Sequence, residues 1–130
     1  MSYLEKIFHI WDILYDKNQD PKVAIEEFFH KDYNQTINGL SLNRAEYINH
    51  IIEQRKTIES MEFKLKNHML QDDKLFIIYN ARGKNIEGND IEAEIIAYFE
   101  FKNEKLFKIH GQVHLIKGNS SDIDMSENNA

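Results

Sequence analysis

The apolar period of this chain changes once, near Glu59. Before that point apolar residues recur every three or four positions, and after it they alternate. A chain patterned in this way folds as helices followed by a run of antiparallel strands, an α+β arrangement. Leu4, Ile7, Phe8, Trp11, Leu14 and Tyr15 make the first helical stripe, which Lys17, Asn18 and Gln19 end. Asp20 is placed as an N-cap, with Pro21 at the first position of a short second helix through Val23, Ala24, Phe28 and Phe29. An extended piece over 33–37 and an Asn38-Gly39 turn follow. Asn43 and Glu46 have capping-box spacing for a third helix. In that helix Ile48, Ile51, Ile52 and Arg55 are expected to share one face, with Glu53, Gln54 and Lys56 in water.

Beyond Glu59, Phe63, Leu65, Asn67 and Met69 alternate with charged residues, and Gln71-Asp72-Asp73 is a polar turn. Strands are expected over 74–82, 91–101 and 106–116, with a polar loop over 83–90. The last hairpin has an apolar face on both strands, and facing residues must share a side of the sheet. A three-residue loop, Asn103-Glu104-Lys105, meets that condition. It pairs Phe101 with Phe107, Phe99 with Ile109, Ala97 with Gly111 and Ile95 with Val113. It also sets Glu100 opposite Lys108 and Glu94 opposite His114, which are favourable cross-strand pairs. Two small side chains, Ala97 and Gly111, then face each other in mid-sheet. They form either a cavity floor or the point where the sheet bends.

The 130 residues suffice for one domain, expected over 1–116, with a polar, disordered tail over 117–130. A net charge of −6 repels phosphate backbones, so nucleic acid is not an expected partner. There is no cysteine, which excludes disulfides and thiol chemistry and fits the cytoplasm. No signal-peptide pattern and no apolar run of membrane-spanning length is present, so no membrane association is expected.

A helix with Trp11, a short helix ending Phe28-Phe29-His30-Lys31-Asp32-Tyr33, then Gln35, Asn38-Gly39, a third helix and a long meander resemble the nuclear-transport-factor-two-like superfamily. The SnoaL-like branch is the nearest. His30 to Gln35 resembles that branch's F-H-P-D-Y-x-Q, with Lys31 in place of proline. The resemblance implies a cone of three N-terminal helices packed on a strongly curved, mainly antiparallel sheet. It also implies a homodimer and a pocket inside the cone. Members include ketosteroid isomerases, polyketide cyclases, dehydratases and non-enzymatic modules, so the fold does not select a function. By position, the isomerase base falls near Ile37, its carboxylic acid near Ala97 and its tyrosine near Trp11 or Asp12, so that set is absent. The dehydratase aspartate matches Asp16, but Ser60 stands where its histidine belongs. Thr36 takes the place of the cyclase histidine, and His114 is the only late candidate.

These readings lead to a small-molecule-binding domain for a modest apolar ligand with a polar end. Trp11, Ile77, Tyr79, Ala97, Phe99, Ile109 and Gly111 are expected to line its pocket, and Tyr33 and Gln35 to orient the ligand. The alternatives are an acid–base enzyme of isomerase, polyketide cyclase or dehydratase type using Asp16 or a tyrosine, and a dimeric, non-catalytic interaction module whose cone is filled by Phe99, Phe101 and Phe107. No cofactor is implied. His110, Gln112 and His114 share the outer strand face, but the two histidines lie about 13 Å apart along a strand, too far to share a metal ion. The half-apolar outer surface of Ile96, Tyr98, His110 and Gln112 is instead the expected dimer face.

Overall fold

The computed structural model describes residues 1–119. Helix α1 (Tyr3–Leu14) begins in a capping box, with Ser2 and Glu5 satisfying each other's backbone N–H groups. It buries Ile7, Ile10, Trp11 and Leu14. Helix α2 (Pro21–Phe28) starts as its sequence dictates: the Asp20 side chain accepts from the Lys22 N–H, and proline fills the first turn. Strand β1 (Phe29–Ile37) turns at Asn38-Gly39 into a short strand, β2 (Leu40–Asn43), that the alternation did not reveal. Asn43 then opens the second capping box and helix α3 (Arg44–Arg55). The buried face of α3 is Tyr47, His50, Ile51 and Gln54, while Ile52 is exposed. The expected face was therefore turned by about one position, and Gln54 faces the core rather than water.

Four long strands complete the fold: β3 (Ile58–Gln71), β4 (Lys74–Asn85), β5 (Asp90–Lys102) and β6 (Lys105–Lys117). Strand β6 therefore runs one residue into the segment expected as a tail, and residues from 120 on lie outside the described residues. The sheet order is β2-β1-β6-β5-β4-β3. Only the β1–β6 pairing is parallel, so the sheet is mixed and mainly antiparallel, and its two edges remain open. The three helices cover one face. A bulge between Leu65 and Asn67 reverses the phase of β3. Phe63 faces the core, but Met69 pairs with the exposed Phe76 on the outer side, so these residues do not share one face as the simple alternation predicted.

The β5–β6 hairpin keeps the expected register through most of its length. Phe99 pairs with Ile109, Ala97 with Gly111, Ile95 with Val113, Glu100 with Lys108 and Glu94 with His114. Its turn is different. Lys102 pairs with Lys105 and Phe101 with Leu106, so Asn103 and Glu104 form a two-residue turn, both at positive φ. A register shift next to Phe101 takes up the extra residue. Leu106 is fully buried in place of Phe107, whose ring packs edge-on against His30. A hydrophobic pattern specifies which residues face each other mid-strand, and a bulge satisfies it as well as a longer loop does.

The pair Ala97–Gly111 is a close approach, not a space. A Cβ built on Gly111 would lie 2.7 Å from the Ala97 Cβ and 2.9 Å from the Ile96 carbonyl oxygen. Glycine here lets two strands press together where the sheet bends. Below it the core is packed: Leu75, Ile77, Phe99 and Leu106 are fully buried, and Tyr3 stacks on Phe101 at 4.1 Å.

Candidate functional site

The opposite end of β4–β6 is not filled. Ala81 pairs with Ala93 there, and the two small side chains leave a gap that α1 and α3 roof over. The result is a cavity of about 80 Å³. Its apolar walls include Ala81, Ala93, Ile95, Ala97 and Ile109, with Ile37 and Val113 on the β1–β6 side. Tyr15, Met61, Phe63 and Val113 also border it and are only partly buried, which marks where the cavity approaches solvent. The Asn38 side chain holds this rim: Oδ1 accepts from the Val113 N–H at 2.9 Å, and its own backbone N–H donates to the Gly111 carbonyl.

The polar groups on the cavity wall are all neutral. Trp11 comes from α1 and Tyr15 from its C-cap, Tyr47 and Gln54 from α3, Gln35 from β1 and Tyr79 from β4. No Asp, Glu, His, Lys or Arg borders the cavity among the described residues. Both glutamines are oriented by tyrosines. The Tyr33 hydroxyl donates to Gln35 Oε1 at 2.8 Å, and the Tyr15 hydroxyl to Gln54 Oε1 at 3.1 Å. Burial pushes the Tyr15, Tyr33, Tyr47 and Tyr79 phenols upward, because the phenolate would lose its water. They remain protonated at neutral pH, as hydrogen-bond donors rather than bases. The Trp11 Nε1–H is directed at the Tyr79 hydroxyl and would favour a Tyr79 anion, though it makes no well-aligned hydrogen bond. Gln35 Nε2 is likewise buried and unpartnered.

Of the residues expected at the site, Trp11, Gln35, Tyr79, Ala97 and Ile109 border the cavity. Tyr33 stands behind Gln35, bonded to it, and is not on the wall. Ile77 and Phe99 belong to the packed end, and Phe99 meets Trp11 with ring centroids 6.3 Å apart. Gly111 is pressed against Ala97, so it is not a cavity floor. Asp16 does not border the cavity: its Oδ1 accepts from the Asn18 N–H, and its carbonyl accepts from Arg55 at 2.6 Å. It ends a helix and ties α1 to α3. Phe107 lies outside the core, so the expected trio of phenylalanines does not fill the cone. The described residues contain no group of three or more His, Cys, Asp or Glu able to hold a metal ion, and no helix among them is long and apolar enough to cross a membrane.

Sequence reasoning missed Tyr47 and Gln54 although a signal was present. Tyr47, Ile51 and Gln54 fall at i, i+4 and i+7, a helical face that isoleucine counting passed over. The Ala81–Ala93 pair was also legible in principle, but its register depends on the β4–β5 loop.

No family model matches the chain. An uncharacterized protein of Schizosaccharomyces pombe is 20% identical over 102 residues, covering 78% of each chain. An NTF2-like protein of unknown function from Exiguobacterium sp. 255-15 superposes with a TM-score of 0.67 at 10% identity, over 90% of this chain and 100% of its own. A protein from Jannaschia sp. CCS1, described as a candidate SnoaL-like polyketide cyclase, superposes with a TM-score of 0.65 at 9% identity, over 100% of this chain and 97% of its own. With three helices on one face of a curved mixed sheet, and with such neighbours, the chain has the nuclear-transport-factor-two-like fold in the form its SnoaL-like neighbours share.

Proposed function

We propose that the chain binds a small, mostly apolar molecule inside the cone. The observation that carries this reading is the cavity between Trp11, Tyr79 and the Ala81–Ala93 pair, in a protein whose other end is densely packed. Apolar walls with a few placed polar groups are the usual make-up of a ligand site. At about 80 Å³ the space suits a single ring or a short chain. Ala81→Leu puts a branched side chain into it. We expect native mass spectrometry of gently purified protein to show a bound small molecule that the folded Ala81→Leu variant lacks. The reading fails if the wild-type protein carries no such molecule and gains no thermal stability from a panel of small apolar compounds.

An acid–base enzyme is the second reading, favoured by the SnoaL-like polyketide cyclase candidate among the neighbours. It lacks a base at the cavity wall, since the bordering phenols hold their protons and Asp16 lies elsewhere. The outer sheet face is proposed to pair with a second copy. Phe76 and Ile96 are exposed there at 43% and 40%, flanked by Tyr98, His110 and Gln112. Sedimentation should give a dimer that Ile96→Lys weakens, and a monomer at all accessible concentrations would refute the pairing. If the cavity reading fails and the dimer stands, the interaction module takes its place. The absence of cysteine fits a reducing compartment such as the cytoplasm.

A further inference from the structure

A buried amide donor at the cavity has no acceptor among the described residues, and this limits what the cavity can hold. Gln35 is 1% exposed and Trp11 is 7% exposed, and both border the cavity. Gln35 Nε2 has no hydrogen-bond partner among the described residues, and the Trp11 Nε1–H is directed at the Tyr79 hydroxyl without an aligned bond. An indole N–H can only donate. An amide could be turned end for end, but not here. The only hydrogen bond recorded for the buried Tyr33 hydroxyl runs to Gln35 Oε1. Turning the amide would strand the Tyr33 proton as well as the Gln35 oxygen, whereas the observed orientation strands only the NH2 group. Buried donors left unpaired are costly, and native proteins seldom keep them without a reason.

Resting on the ligand-binding reading above, we infer that the ligand is a neutral molecule with a carbonyl-type acceptor, which Gln35 Nε2 binds. A carboxylate would also accept, but no cationic side chain borders the cavity to offset the loss of its hydration. A quaternary ammonium would suit the rings of Trp11, Tyr15, Tyr47 and Tyr79, but it would meet the positive end of the Gln35 N–H dipole and leave that donor unsatisfied. A carbonyl oxygen satisfies the donor and asks nothing in return, whereas an alcohol brings a hydroxyl proton that must find a lone pair of its own.

The test uses small compounds that differ in their polar end. Cyclohexanone, methylenecyclohexane, cyclohexanol, cyclohexanecarboxylate and tetramethylammonium are titrated separately into the full chain. Binding is followed by ligand-observed NMR and by the fluorescence of Trp11, the chain's single tryptophan. Cyclohexanone is expected to bind about tenfold tighter than methylenecyclohexane, which has the same shape without the acceptor. Gln35→Met should erase that gap while leaving methylenecyclohexane binding unchanged. Tyr33→Phe, which loses only a hydroxyl, frees Gln35 Oε1 to turn toward the cavity and should shift preference from ketone toward cyclohexanol. This second variant keeps the test decisive if Gln35→Met does not fold. Equal affinity for the ketone and the hydrocarbon overturns the acceptor inference and leaves the ligand-binding reading standing. Tightest binding of the carboxylate or the ammonium also overturns it. If none of the five binds, the ligand-binding reading is lost and the inference with it.

Discussion

Gly111 and Ala97 illustrate how little a small side chain says about space. In the sequence, two small residues facing each other mention equally a void and a tight bend. The distances decide: an added Cβ at 2.7 Å from another Cβ is far inside van der Waals contact. Gly111→Ala is therefore expected to destabilise the protein by about 1–3 kcal/mol through overpacking. Ala97→Gly placed in the same chain removes the opposing Cβ and should restore part of that loss, giving a coupling in a double-mutant cycle read from urea midpoints. Independent, additive effects would show that the two strands do not press together here. The Ala81–Ala93 pair is alike in composition and opposite in consequence, because its neighbours on α1 and α3 stand off and leave the cavity.

At the scale of elements, the caps of the second and third helices were the most legible features. Ser, Asp and Asn each precede a helix and hold its first N–H groups, and the physics is local to three or four residues. Facing pairs in the β5–β6 hairpin were legible because alternation leaves few registers that bury both apolar faces. What escaped was anything that breaks a period by one residue. The bulge near Phe101 replaced a longer loop, and the one between Leu65 and Asn67 reversed a face. Strand β2 escaped because four residues, only one of them buried, carry too short a pattern. The candidate site was half legible for the same reason. Trp11, Gln35 and Tyr79 announce themselves as large or polar residues on an inner face. Gln54 reaches the cavity only through the rotation of α3, which tertiary packing sets.

For the whole molecule, the tyrosines give a single test of how the fold encloses its polar groups. All six phenols are held above their ordinary value of 10. Four are raised first by burial beside the cavity. Tyr98 is pushed up to about 12 by burial and by its bond to Glu100, and Tyr3 by burial and by Glu104. Above pH 10 the unfolded chain releases these protons while the folded chain keeps them. Stability is therefore flat with respect to these groups below pH 10 and falls as pH rises above it. Phenolate absorbance should stay low in the native protein past pH 10 and appear together with loss of the native circular dichroism. A phenolate signal from several tyrosines near pH 10 in a still-folded protein would contradict the enclosure described here.

The packed end and the cavity lie at opposite ends of the same three strands, about 20 Å apart from Leu75 to Ala81. If the cavity holds the ligand proposed above, folding and selectivity rest largely on separate residues: Gln35, Gln54 and Met61 border the cavity, while Phe99, Phe101 and Leu106 fill the packed end. A lineage built on this plan could then vary its ligand at the cavity while the packed end stays as it is.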